Sequence, residues 1–159
     1  MDAESATETA STTATVHASA VLAGARAVLI RGPAGAGKSR LALGLIQAAE
    51  CGLLALARLV ADDRVALSAA HGRLLARPPP ALAGLIEVRG LGIRRLDHEP
   101  VAVVGLVVDL AAPEAERLPG SAEQEITVAG IRIPRLAIVV GLDPLPAVLA
   151  RLLTAPAET

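Results

Sequence analysis

Phenylalanine, tyrosine and tryptophan are all absent from this chain of 159 residues. Its core must therefore be assembled from Leu, Val, Ile and Ala, which gives thin layers of small side chains. With no ring to stack on a base, and a formal net charge of −1, it lacks both features that nucleic-acid binding draws on. The single cysteine, Cys51, permits no internal disulfide and suits a reducing cytoplasm. Before Gly52 it reads as a small apolar filler rather than a nucleophile. No apolar run reaches membrane-spanning length, and no basic segment precedes an apolar one at the start, so neither a span nor a leader is expected. Residues 1–13 are polar, acidic and rich in Ala, Ser and Thr, reading as a loose tail ahead of one domain over 14–155.

Lysine is almost missing too: Lys38 is alone, and every other basic position is arginine. It stands in Gly32-Pro33-Ala34-Gly35-Ala36-Gly37-Lys38-Ser39, which matches the phosphate-loop pattern G-x-x-x-x-G-K-[ST] at every position. At this composition a chance match is on the order of one in a thousand. Glycines let backbone N–H groups converge on phosphate oxygens, and a helix N-terminus adds its positive dipole end. A slim ammonium reaches the β- and γ-phosphates where a planar guanidinium would not, and the Ser39 hydroxyl suits Mg²⁺. The flanks agree. Ala27 to Ile30 is a strand-like apolar run, and Leu41, Ala42, Leu45, Ile46, Ala48 and Ala49 make a helix that is apolar nearly all round.

The remaining pattern predicts strands at Thr15–Leu22, Arg26–Arg31, Arg58–Ala61, Val101–Leu110 and Leu136–Val140, and a helix from Lys38 to Glu50 ending at Gly52. Hairpins are expected around His71-Gly72 and Gly130, and a C-terminal helix capped by Asp143. So many hairpins around one buried helix point to an α/β fold with a mixed β-sheet around a central phosphate-loop helix.

Phosphoryl transfer also needs a metal-side carboxylate, a base and positive charge at the transferring group. Asp62-Asp63, ending an apolar strand, meets the first two needs, and alternation points the pair to opposite faces. A solvated turn pair is the plainer reading. Glu87 lies among apolar neighbours, where a carboxylate must be paired or metal-bound, and Arg89 is an obvious ion partner. His17 has no local motif, and Arg117 after Glu114 and Glu116 would pass for a surface ion pair.

The strings Arg58-Leu59-Val60-Ala61-Asp62-Asp63-Arg64-Val65 and Glu87-Val88-Arg89-Gly90-Leu91-Gly92-Ile93, following that loop, resemble the catalytic domain of HPr kinase/phosphorylase. The short form, without the N-terminal domain of longer members, is the nearest likeness and is found in alphaproteobacteria. The resemblance implies a P-loop fold shared with phosphoenolpyruvate carboxykinase. It also implies an ATP- and Mg²⁺-dependent serine kinase acting on an HPr-like phosphocarrier protein of the sugar phosphotransferase system, cytoplasmic and hexameric as the family is. By position it makes His17 a site residue near the γ-phosphate and gives Lys38 to the phosphates. Ser39 and Glu87 go to the metal, Asp62 and Asp63 to acid/base work with Asp63 as proton acceptor, and Arg117 to the reacting phosphate. The family's basic segment linked to dephosphorylation is replaced by Val139-Val140-Gly141-Leu142-Asp143-Pro144, which sets phosphorolysis apart from the kinase direction. A small-molecule P-loop kinase, with Arg94-Arg95 serving as a lid, and a non-catalytic nucleotide sensor are the other two classes open to the residues alone.

The missing rings carry a prediction about the base. With no aromatic face for adenine, ATP and GTP should bind with affinities less than about a hundredfold apart in a nucleotide titration. A larger preference would contradict this.

Overall fold

The computed structural model describes residues 14–113, 115 and 124–157. Three short hairpins dominate the chain. Strands β2 (Ser19–Ala23) and β3 (Arg26–Arg31) turn at Gly24-Ala25; β5 (Val65–Ala70) and β6 (Arg73–Arg77) turn at His71-Gly72. Strands β10 (Glu125–Val128) and β11 (Ile131–Ala137) turn at Ala129-Gly130. In the last two turns both central residues have positive φ, as the tight turns that follow strand twist require, and glycine takes the second place in each. With β1 (Ala14–Val16), β4 (Ala57–Ala61) and β9 (Ala102–Asp109) they form a nine-stranded sheet of order β1-β5-β6-β9-β3-β2-β4, with β11 and β10 attached through β9. β9 is the hub. It runs parallel to β3 and to β11, while every other pairing in the sheet is antiparallel.

This sheet cannot be flat. β4 and β5 stand five strand spacings apart in the order, about 24 Å at the usual ~4.8 Å per spacing. Only Asp62, Asp63 and Arg64 join them, and that link reaches at most about 15 Å. β1 and β2 are equally distant in the order and are joined by His17 and Ala18 alone. Both links can close only if the sheet curls until its two ends approach. His17 and the acid pair therefore sit on one seam.

Curling gives β3 two buried faces. Val28 and Ile30 pack with Leu106 and Val108 against α1 (Lys38–Glu50), whose Leu41, Ala42, Leu45 and Ala48 complete a first core. Ala27 and Leu29 turn the other way, into a second core with Val60, Val65, Leu74, Val104 and Val107. Side-chain alternation in β9 slips at Gly105, where the β3–β9 register shifts. Helix α2 (Pro144–Leu153) adds Val148, Leu145, Leu149 and Leu152 to the first core. Its N-cap Asp143 accepts from the Leu145 N–H at 3.1 Å. A separate two-stranded sheet, β7 (Leu85–Val88) with β8 (Gly92–Arg95), lies over α1 through Ile86. No helix among the described residues is long and apolar enough to cross a membrane.

Three sequence expectations change. Thr15–Leu22 is two strands, because the His17-Ala18 step carries the chain across the seam to new partners. Leu136–Val140 is no separate strand: β11 continues through Pro134 to Ala137, and the proline stands where pairing changes from β10 to β9. Cys51 is exposed at the C-cap of α1, since the helix ends before its apolar face comes round again, and so it fills no gap.

Truncating the first core should be costly. Leu45, with no exposed surface, should lose about 2–5 kcal/mol on change to alanine in a urea titration. Leu53→Ala, at 57% exposure, should stay within about 0.5 kcal/mol of the parent.

Candidate functional site

Residues 32–39 leave β3 at the carboxyl ends of the parallel strands and run straight into α1. Two left-handed glycines, Gly35 (φ 80°) and Gly37 (φ 100°), shape the turn. A Cβ at Gly32 would come within 3.1 Å of the Leu110 side chain, so only glycine lets the loop start this close to the sheet. The helix begins without a side-chain cap and with no acid in its first turn. Its orphan N–H groups and positive dipole end are left for an anion. Lys38 is buried, and its Nζ donates to the carbonyls of Gly32 (2.8 Å) and Pro33 (3.1 Å), folded over the loop it would serve.

Asp62 ties this loop to the seam. Its carboxylate, 4% exposed, accepts from Ser39 Oγ at 2.7 and 2.9 Å, from Ser19 Oγ at 2.6 Å and from the Glu87 backbone N–H at 3.1 Å. Asp63 turns away from it. With φ 68° it points outward, where His17 Nε2 donates to its Oδ1 at 3.1 Å. Both side chains are about half exposed or more. The two acids thus occupy different environments, because the left-handed backbone at Asp63, beyond the end of β4, turns its side chain away from that of Asp62. Ser39 and Asp62 present hard oxygen donors side by side, a set that fits Mg²⁺. The uncapped helix start, the glycine turns and the folded-over ammonium fit a polyphosphate.

Loop, Lys38, Ser39, Asp62, Asp63 and His17 are brought together. Glu87 is not buried as its apolar neighbours suggested. β7 pairs only with β8 and packs one face, so Ile86 faces the core while the Glu87 side chain is exposed, without an ion pair to Arg89. Its backbone still places it beside Asp62. Arg117 lies outside the described residues.

Sequence reasoning missed a second buried carboxylate. Asp109 ends β9, in register with Arg31, the residue before the loop. Arg31 grips it with two bonds, Nε at 2.7 Å and Nη2 at 2.8 Å, and Arg135 Nε adds another at 2.5 Å. Burial opposes its ionisation, yet the hydrogen bonds and charges of Arg31 and Arg135 outweigh that and hold the carboxyl below its usual range. An apolar run ending in Asp was the available signal. Ser19, a fully buried serine amid alanines, gave a fainter one.

The depressed acid predicts a pH effect. A carboxyl with a lowered folded-state pKa stabilises fully above its unfolded value near 4 and loses that contribution as pH falls through the folded value. Asp109→Asn should cost roughly 3 kcal/mol near neutrality by removing the buried carboxylate that Arg31 grips and Arg135 bonds. The gap from the parent in urea titrations should then narrow below about pH 4; a gap constant with pH would refute the linkage.

Comparison with known proteins gives one consistent answer. The family model described as HPr Serine kinase C-terminal domain matches residues 8–144. HPr kinase/phosphorylase of Streptococcus pyogenes serotype M1 is 34% identical over 124 residues, covering 71% of this chain and 38% of the relative. The protein of the same name from Streptococcus thermophilus (strain CNRZ 1066) gives the same figures. The chain thus spans 38% of the length of these curated relatives. The structure of the Hpr(Ser) kinase/phosphatase from Coxiella burnetii shares the fold, with TM-score 0.70, 24% identity, and coverage of 87% of this chain and 88% of that one.

Proposed function

Since the chain belongs to the HPr serine kinase C-terminal domain family, we propose that it is a kinase that transfers the γ-phosphoryl group of ATP to a serine of an HPr-like phosphocarrier protein, with Mg²⁺, in the cytoplasm. The observation that carries this reading is the contact of Ser39 with Asp62, which puts the loop beside an acid pair whose second member faces outward. A nucleotide sensor has no need of an outward acid paired with a histidine.

In this reading the loop N–H groups and the start of α1 hold the phosphates, and Lys38 exchanges its two carbonyl partners for phosphate oxygens. Mg²⁺, when bound, neutralises charge on the β- and γ-phosphates, with Ser39, Asp62 and Glu87 as the residues that would hold it. Asp63 Oδ accepts the proton of the incoming serine hydroxyl. The serine oxygen bonds to the γ-phosphorus as the bond from the bridging oxygen breaks, and ADP leaves. His17 orients the Asp63 carboxylate from the far side of the seam. Arg117 is assigned to the transferring group. The segment Val139 to Asp143 offers no cation for the reverse reaction, so the kinase direction is the one proposed.

Incubation with labelled ATP and HPr tests it. Wild-type protein should label a serine of HPr only with Mg²⁺, and Lys38→Ala should abolish transfer. Asp63→Asn should lower turnover by about 10²–10⁴ while nucleotide affinity stays within about threefold. Unchanged turnover in Asp63→Asn would remove the base; label on a small molecule instead would move the protein to another kinase class.

A further inference from the structure

At the other end of β3 from the loop, about 17 Å along the strand, the sheet opens into a concavity of about 450 Å³. Its floor is the start of β9 with Val28, Leu106 and Ile133. Four arginines line it from four separate elements: Arg26 from β3, Arg73 from β6, Arg132 from β11 and Arg151 from α2. No Asp or Glu among the described residues lines it. Among the described residues Arg132 holds Glu125 at 2.7 Å, whereas the side chains of Arg26, Arg73 and Arg151 form no hydrogen bond or ion pair.

The whole chain carries slightly more acids than bases, 16 against 15, so this local excess is not a consequence of net charge. Three arginines elsewhere, Arg31, Arg58 and Arg135, hold carboxylates, and the concavity is distinguished by gathering four arginines from four elements around one apolar floor. The placement of Arg26 also depends on its surroundings. It lies across Gly105, where a Cβ would stand 2.7 Å from its own Cβ, so any other residue at 105 would push the guanidinium off the floor. Like charges around an apolar concavity repel one another, and the low-dielectric wall concentrates their field on whatever enters.

We propose that this concavity is a second anion site, separate from residues 32–39, for a small polyanion with clustered phosphate or carboxylate oxygens. Guanidinium forks match both groups in bidentate fashion, and the volume suits a compact organic molecule. The proposal stands apart from the kinase reading.

Lys38→Ala protein, with its loop disabled, is titrated separately with pyrophosphate and with citrate, following heat and amide NMR shifts. At least one should saturate a single site per chain, with shifts at Arg73, Gly105 and Arg132. Arg26→Gln/Arg73→Gln in that background should weaken binding by at least about tenfold. Without anion it should melt no lower than its parent, because repulsion is relieved. Arg151→Gln, on the helix surface, gives an independent check if the double variant folds poorly. Saturation by pyrophosphate alone or by citrate alone would fix the ligand class. No heat at about 10 mM of either anion, shifts confined to residues 32–39, or binding indifferent to the arginine changes would overturn the site.

Discussion

The carboxylate of Asp62 is where the fold and the chemistry meet. It is buried, and every group it contacts donates: two serine hydroxyls and one backbone N–H. Those donors come from β2, from the first turn of α1 and from β7, while Asp62 itself directly follows β4. One side chain thus fixes the helix that carries the loop, the sheet edge and the small hairpin relative to each other. Hydrogen bonds to a charged acceptor contribute about 1.5–3 kcal/mol each. Stranding any of these donors away from water would cost a comparable amount. The arrangement can form only because the sheet curls, since the short link after β4 forces Asp62 and Asp63 onto the seam.

The seam also explains why adjacent acids end up in opposite environments. Asp63 adopts left-handed backbone, which Asp tolerates better than most residues at a cost of about 1 kcal/mol. The Arg64 N–H closes the turn onto the Asp62 carbonyl at 2.8 Å. The result is one acid held by fixed donors and another at the surface, in contact with the imidazole that the β1–β2 link delivers. Proximity of His17 to Asp63 is therefore a property of topology, 46 residues apart in sequence.

That separates what the sequence could show from what it could not. The loop, α1 and the hairpins are written in local signals, a glycine pattern, an apolar periodicity and Gly-containing turns, and β3 and α1 have the bounds read from them. The curl depends on strand order, which no local pattern encodes. Hence Thr15–Leu22 read as one strand, and Ser19 and His17 had no visible partner. Glu87 shows the converse error: apolar neighbours implied burial, but a two-stranded sheet covers only one of its faces. Asp109 was legible as an acid at a strand end. Its partners Arg31 and Arg135 were not, because they come from strands 78 and 26 residues away, respectively, that pair only in the folded sheet.

Asp62 and Asp109 together define what the loop can do. Asp62 holds its last residue, Ser39, while Asp109 grips Arg31 just before its first, and the Leu110 N–H bonds the Arg31 carbonyl at 2.8 Å. A loop pinned at both ends by buried carboxylates keeps its N–H groups in place before any anion arrives, so little ordering cost remains to be met on binding. What is left to move is Lys38, which rests on the two carbonyls of the same loop. Exchanging those neutral acceptors for anionic oxygens requires side-chain rotation without backbone rearrangement. A long, flexible ammonium stem can make that exchange, whereas a guanidinium at the same place could not turn as freely. In a chain that uses arginine for every static ion pair described, the one lysine stands where a cation has to change partners.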